Sequence, residues 1–469
     1  MKKVLTSILI LTVITSFAFV VTGCPTKPAE EVTEEPTTTE EEAAPPVPTE
    51  KTIVEFWTTD NEEYRVDVQE AIATKFMEAN PDIEVRVIPI DEASIAQRIS
   101  TAKAANRLPD VVRMGVERVA PFYADGLLDA GAATAVINNL GADTFFKGPL
   151  NWVTVEEGYG AVPFDGWLQA IWYRADAFEE LGLEPPESWD QMKTACESLA
   201  GYGDFLYGIT LATDPGQNYG CQVFEQYAIS NGAFPFDDAG NVTMNTPEMI
   251  EALTFYAGLA DCAAPGPNYW KQAREYYITG QSTMLFYSSY VMDDLAGLQE
   301  GVEPTVAELA SKTGFASRMV GASGDEATYG QLVTLGIFEG TDTEATSKWI
   351  EYLLTDGYVD ILNVAPHGKM PVRTTAVEEW KKHEIFKQYP AEVLDTIVKG
   401  FDTAQRWLFA PQMGSLERAV IGDMEGRLLI PTALSNIILE KTMTPEEAAK
   451  WLQTVVEEIK AEREAEAEG

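Results

Sequence analysis

An α/β fold in two lobes is what the sequence predicts, on three observations. About 420 residues lie between an acidic, Pro-rich stretch that ends at residue 51 and the last residue, more than one hydrophobic core usually supports. From residue 52 to residue 115 strand-period and helix-period segments alternate, the mark of a parallel sheet covered by helices. Beyond residue 173 the pattern turns more helical, as a second lobe of different build would.

The elements follow in order. "TIVEFW" (52–57) alternates as a strand, and Val68, Ala71, Ile72, Phe76 and Ala79 recur at helical spacing after it. "IEVRVIPI" (83–90) is a second strand, "EASIAQRISTAKAAN" (92–106) a helix, and "PDVVRMG" (109–115) a buried third strand. "GAVPFDGWLQAIWY" (160–173) reads as an extended strand heavy in aromatic rings. The helix opening at "SWDQM" carries a capping box, Ser188 with Gln191. Thr246 with Pro247 starts another helix, and Thr444 with Glu447 caps the last one. Between them, 280–290 reads as a strand leading into a short helix, 329–338 as a strand, and 343–355 as a helix. The final "EEIKAEREAEAEG" is expected to fray into a charged tail.

The leader has its own logic. "MKK" followed by the apolar run 4–21 has the build of a secretory signal, and "VTGC" places Cys24 where a bacterial lipobox has its lipid-bearing cysteine. Residues 1–24 are therefore expected to be a lipoprotein signal peptide, with Cys24 as the attachment point to the outer side of a membrane. Residues 25–51 hold eight Glu and six Pro among small polar residues, too little apolar area to order, so they read as an acidic tether.

Composition excludes several functions. A net charge of −41 argues against nucleic acid and favours a soluble monomer. Neither a GxSxG, an HExxH, a Walker motif nor a GxGxxG between strand and helix is present, and the two histidines, His367 and His383, cannot build a His-based metal site. No metal or cofactor is expected. Besides Cys24 there are Cys196, Cys221 and Cys262; the last two sit at loop borders and are expected to form a disulfide, leaving Cys196 buried in its helix.

An ordered set of segments carries a resemblance: "VEFWTTD", "KFMEANPDIEVRV", "NRLPDVVRMGVERVAPFYADGLLDA", "GYGAVPFDGWLQAIWYRADAFEELGLEPPESWDQM", "YITGQSTMLFYSSYVM" and "TEATSKWIEYLLT". Their order and spacing resemble the extracellular solute-binding proteins of ABC importers, in the carbohydrate-binding family that includes maltose-binding protein. The resemblance implies the two-lobe periplasmic-binding-protein fold (type II-like), with several hinge crossings and the ligand in the cleft between lobes. It places one lobe at 52–168 plus 329–371 and the other at 169–328 plus 372–469. It also implies a membrane permease as partner and lobe closure as the working motion.

Within that frame, loops at the carboxyl ends of strands supply the first candidates, Trp57, Thr59, Asp60 and Glu62. Glu117 and Arg118 fall where the family has an acidic–arginine pair on sugar hydroxyls. Alternation puts Asp165, Trp167 and Gln169 on one strand face, an acceptor beside a stacking ring, with Leu168 and Trp172 assigned to the core. The second lobe offers Tyr219, Gln222, Trp270 (with Tyr269 as rival), Tyr287, Ser288, Ser289 and Tyr290. His367, Arg373 and Gly414, with Trp407 near the last, complete the set. The short aromatic run "FYSSYVM", and Met114 where the family has a strand-end aromatic, point to a mono- or disaccharide or a sugar conjugate rather than a long oligosaccharide. Two other readings stand beside it: a receptor of the same fold for a polyamine or other solute, and a secreted glycoside-active enzyme.

Overall fold

The structure, a computed structural model, describes residues 51–468 apart from Glu157 and Glu300. The signal segment, Cys24 and the tether up to residue 50 lie outside the described residues. Among the described residues no helix is long and apolar enough to cross a membrane.

The main sheet has eight strands: β1 Thr52–Thr58, β2 Ile83–Pro89, β3 Val111–Gly115, β4 Val162–Arg174, β5 Met284–Ser288, β6 Thr313–Ala316, β7 Tyr329–Ile337 and β8 Met370–Pro371. β1 pairs in parallel with β2 and β3, joined through helices Glu63–Ala79 and Ile95–Ala104, as the alternating pattern predicts. β7 joins antiparallel to β3, and β4 antiparallel to β7.

The 13-residue strand β4 belongs to two sets of neighbours. Its first half pairs with β7 and β8, and its second half, from Gln169 to Arg174, with β5 and β6. The register between β4 and β7 shifts around Phe164, with Val333 opposite Asp165 and Thr334 opposite Pro163. A bulge tolerates a proline and re-aims the neighbouring side chain, here Asp165.

The caps behave as their residue types predict. Ser188 Oγ accepts from Gln191 N (3.3 Å) at the start of Trp189–Leu199, and Thr246 Oγ1 from Met249 N (3.3 Å) at the start of Pro247–Gly258. Thr444 and Glu447 cap Pro445–Glu468 reciprocally. That last helix runs on through the stretch expected to fray. Arg463 reaches back to Asp423 with two hydrogen bonds of 2.7 Å, and Glu462 to Arg427 at 2.6 Å, so the charged end is held against helix Ser415–Gly426.

The disulfide expectation is corrected. Cys196 bonds to Cys262, and Cys221 is free and buried. Cys196 faces inward from its helix, and Gly208, whose N–H donates to Cys262 O at 2.9 Å, packs directly against the Cys196 backbone. Cys221 instead opens helix Tyr219–Ser230 from the inside, beside Glu225 and Glu425. Loop-border position in the chain was a poor guide because helical side chains decide which sulfurs meet.

Candidate functional site

The site is built where parallel strands end and β4 crosses. The loop after β1 presents Thr59 to Glu62, the loop after β2 presents Asp91 and Glu92, and β3 ends at Gly115; all line one cavity of about 380 Å³. Asp165 and Trp167 from β4 and Tyr290 after β5 close it, with Lys369 at its floor. A second cavity of about 230 Å³ has Trp167, Gln169, Tyr219, Gln222, Trp270, Tyr287, Ser288 and Tyr290 in its wall. Trp167 and Tyr290 belong to both, so the two cavities adjoin across one ring pair.

The first cavity is charged. Lys369 Nζ lies 2.7 Å from Asp60 Oδ2 and 3.6 Å from Asp165 Oδ2, and Arg113 Nη2 donates to both oxygens of Asp165 at 3.0 and 3.3 Å. Arg65 Nη1 donates to Asp60 Oδ1 at 2.7 Å, and Arg113 Nη1 to Thr59 Oγ1 at 3.1 Å. Burial alone would raise the Asp60 carboxyl, but Arg113, Lys369 and Arg65 outweigh it and hold its pKa far below the usual carboxylate range. Burial and the nearby Arg113 pull Lys369 down, against the pull of Asp165 and Asp60. Tyr290 is pushed up to about 12 by burial and the Asp165 charge, so its hydroxyl stays protonated and can donate.

The second cavity is aromatic. Trp270 meets Tyr287 edge-on with centroids 6.1 Å apart, and Lys271 and Arg274 sit 5.2 and 5.5 Å from the Trp270 ring. Tyr219 donates its hydroxyl to Phe286 O, which fixes its ring in the wall. Gln169 Nε2 and Arg113 Nε are buried without an acceptor among the described residues. Charged groups with the Arg113 donor on one side, and ring faces with the Gln169 donor on the other, can hold a small polyhydroxylated solute: hydroxyls need both donor and acceptor, and its CH faces need a flat apolar surface.

The structure thus brings together Thr59, Asp60, Glu62, Asp165, Trp167, Tyr219, Gln222, Trp270, Tyr287, Ser288 and Tyr290. Others stand apart. Glu117, paired with Arg118 at 3.9 Å, folds its carboxylate over Gly115 at the rim. His367 sits behind Tyr290, with centroids 5.4 Å apart and its Nε2 3.5 Å from Asp293. Trp57 packs against the core within β1, Ser289 is fully buried with its N–H on Leu168 O, and Trp407 is buried with its indole on Ala233 O. Gly414 lines neither cavity; it precedes helix Ser415–Gly426 beside Glu417. Arg373 is corrected to a structural role: it donates to Leu354 O (2.7 Å), Leu140 O (2.8 Å) and Thr144 Oγ1, which ties two loops together and leaves nothing for a ligand.

Sequence reasoning missed Arg65, Arg113 and Lys369. A signal existed for Arg113, a lone charge inside the apolar strand "VVRMG". Trp172 and Leu168 are both fully buried, as alternation predicts, and Trp172 Nε1 donates to Tyr287 O at 3.0 Å. Among the described residues, one cluster has metal-ligand types, Cys221, Glu225 and Glu425. Arg406 already occupies it, 3.0 Å from Glu225 and 3.2 Å from Glu425, so a cation is supplied by the chain itself.

Comparison with known proteins agrees with this layout. The putative ABC transporter periplasmic-binding protein YcjN of Escherichia coli K12 is 28% identical over 416 residues, 86% of this chain and 93% of its own. The sugar-binding protein MalE of Xanthomonas citri superposes with a TM-score of 0.69 at 18% identity, over 89% of this chain and 99% of that one. The cyclic α-maltosyl-1,6-maltose binding protein of Arthrobacter globiformis does so at 0.67 and 17%, over 87% and 99%. These neighbours are binding proteins, and the fold shared with them is the two-lobe one. The model of the family described as bacterial extracellular solute-binding protein matches residues 60–360, and the chain belongs to that family.

Proposed function

We propose that this protein is the receptor of an ABC importer, capturing a small carbohydrate by lobe closure and delivering it to a membrane permease without catalysis. One observation carries the reading: β4 places Asp165, Trp167 and Gln169 on a single face, where a charged acceptor cavity and an aromatic cavity meet. The relatives' own descriptions support it, naming maltose-type sugars and periplasmic binding.

In this reading the lobes are 52–168 plus 329–371 and 169–328 plus 372–469, with β4 as the first crossing and the stretch around β8 as another. The mature chain is a monomer held at the membrane through lipid on Cys24, as "VTGC" supports. A thermal-shift screen against neutral mono- and disaccharides tests the function, since a ligand of the native state raises Tm by mass action. A shift with a sugar is expected. A shift with polyamines only would overturn the reading, and turnover of a glycoside would overturn the receptor role.

A further inference from the structure

Lys369, at the floor of the charged cavity, is preceded by Gly368, which lines the same space. The turn they share is firmly held. Gly368 N and Lys369 N both donate to Ala365 O, at 2.9 and 2.8 Å, and Trp380 Nε1 donates to Pro366 O at 3.1 Å. Gly368 lies outside the left-handed region, so its backbone conformation is open to any residue. What the site uses is the missing side chain. A Cβ at this position would fall within the Tyr290 ring, against Cε1, Cζ and Cε2, whereas unbonded carbons pack about 3.5–4.0 Å apart.

Tyr290 reaches this seat from the other wall of the cleft. It follows β5 and opens the short helix Val291–Leu295, and its neighbour Ser289 is fastened to β4 by its N–H on Leu168 O at 2.8 Å. In the lobe assignment proposed above, Tyr290 belongs to 169–328 and Gly368 to 329–371, so their contact joins the two lobes. The ring stands between the charged and the aromatic cavity, and its hydroxyl has no hydrogen-bond partner among the described residues. A phenol O–H left open to a cavity is a donor for a solute oxygen. A rotatable side chain gives way more cheaply than a hydrogen-bonded turn. A side chain at 368 would therefore drive the Tyr290 ring off its seat and into the space a solute needs, at a cost to binding rather than to folding.

We propose that Gly368 is a positioning residue for solute capture: lacking a side chain, it seats Tyr290 across the cleft, where the Tyr290 hydroxyl donates to the bound saccharide. This rests on the carbohydrate reading above and deepens it.

The test is calorimetric titration of the folded protein with maltose, lactose and laminaribiose, beside NMR of protein carrying tyrosine labelled with carbon-13 at Cζ. The Tyr290 signal is the one missing from Tyr290→Phe. Gly368→Ala is expected to weaken binding of the tightest of the three sugars at least tenfold with little change in Tm, and to move the Tyr290 signal before any sugar is added. In a Tyr290→Ala background the same substitution should cost no further affinity, an outcome that a general disturbance of the turn would not give. Tyr290→Phe, which keeps the ring on its seat, should also weaken binding. Wild-type affinity in Gly368→Ala or in Tyr290→Phe, an unmoved Tyr290 signal, or an equal loss in both backgrounds overturns the inference and leaves the carbohydrate reading standing. Binding of no saccharide at all overturns both.

Discussion

The buried charges beneath Trp167 make a prediction that depends on counting. Three cations (Arg65, Arg113 and Lys369) meet two buried carboxylates (Asp60 and Asp165), with the exposed Glu62 carboxylate 3.5 Å from Arg65 outside that set; Lys369, Asp60 and Asp165 have side chains no more than 3% exposed. Asp165→Asn leaves three cations facing one buried carboxylate, and Arg113 keeps only neutral acceptors, Thr59 Oγ1 and the amide oxygen that replaces the carboxylate. Removing one partner of a buried pair costs about 3–5 kcal/mol, because the remaining charge stays desolvated. Lys369→Met removes the surplus cation and leaves Arg65 on Asp60 and Arg113 on Asp165, two against two. Its cost should be only about 1–2 kcal/mol, the loss of the close contact with Asp60 Oδ2, since Asp165 Oδ2 lies beyond hydrogen-bond reach at 3.6 Å. Urea unfolding at pH 7, read as the midpoint shift at constant m, measures both. If Lys369→Met proves as costly as Asp165→Asn, the surplus-cation account of this network is wrong.

Three further outcomes follow from the same geometry. Trp167→Ala should weaken carbohydrate binding by about tenfold or more with little change in Tm, since its half-buried ring is shared by both cavities; unaltered binding by calorimetry would move the cleft elsewhere. The Asp60 carboxyl is held below its unfolded value, so its stabilisation is complete above about pH 4 and is lost as pH falls further; Asp60→Asn should flatten that acid limb of the urea stability profile. The Cys196–Cys262 bond spans 66 residues, and its removal by Cys196→Ala with Cys262→Ala should cost about 4 kcal/mol in the chain-entropy account. Non-reducing peptide mapping that linked Cys221 to either partner would refute the pairing itself.

How legible the site was depended on the kind of information each residue carried. Alternation along "FDGWLQAIW" was enough to separate Asp165, Trp167 and Gln169 from Leu168 and Trp172, because a strand has a period of two and one face must be buried. The strand-end rule located Thr59 to Glu62. Arg373 and Ser289 lay near the cleft in sequence but turned inward, since nothing in a loop's composition states which neighbour its side chain will meet. The bulge at Phe164, which aims Asp165, has no residue signature of its own beyond Pro163.

The alternating α/β build, the capped helices, the family resemblance and the long aromatic strand are all legible in the order of the residues. All of these are local patterns or an order of segments, which one chain records directly. The folded chain alone shows that Lys369 bridges Asp60 and Asp165 across about 200 to 300 residues of chain, and that Cys196 rather than Cys221 meets Cys262. Each is a pairing between distant segments, set by which faces pack together, and charge and thiol chemistry follow from that packing.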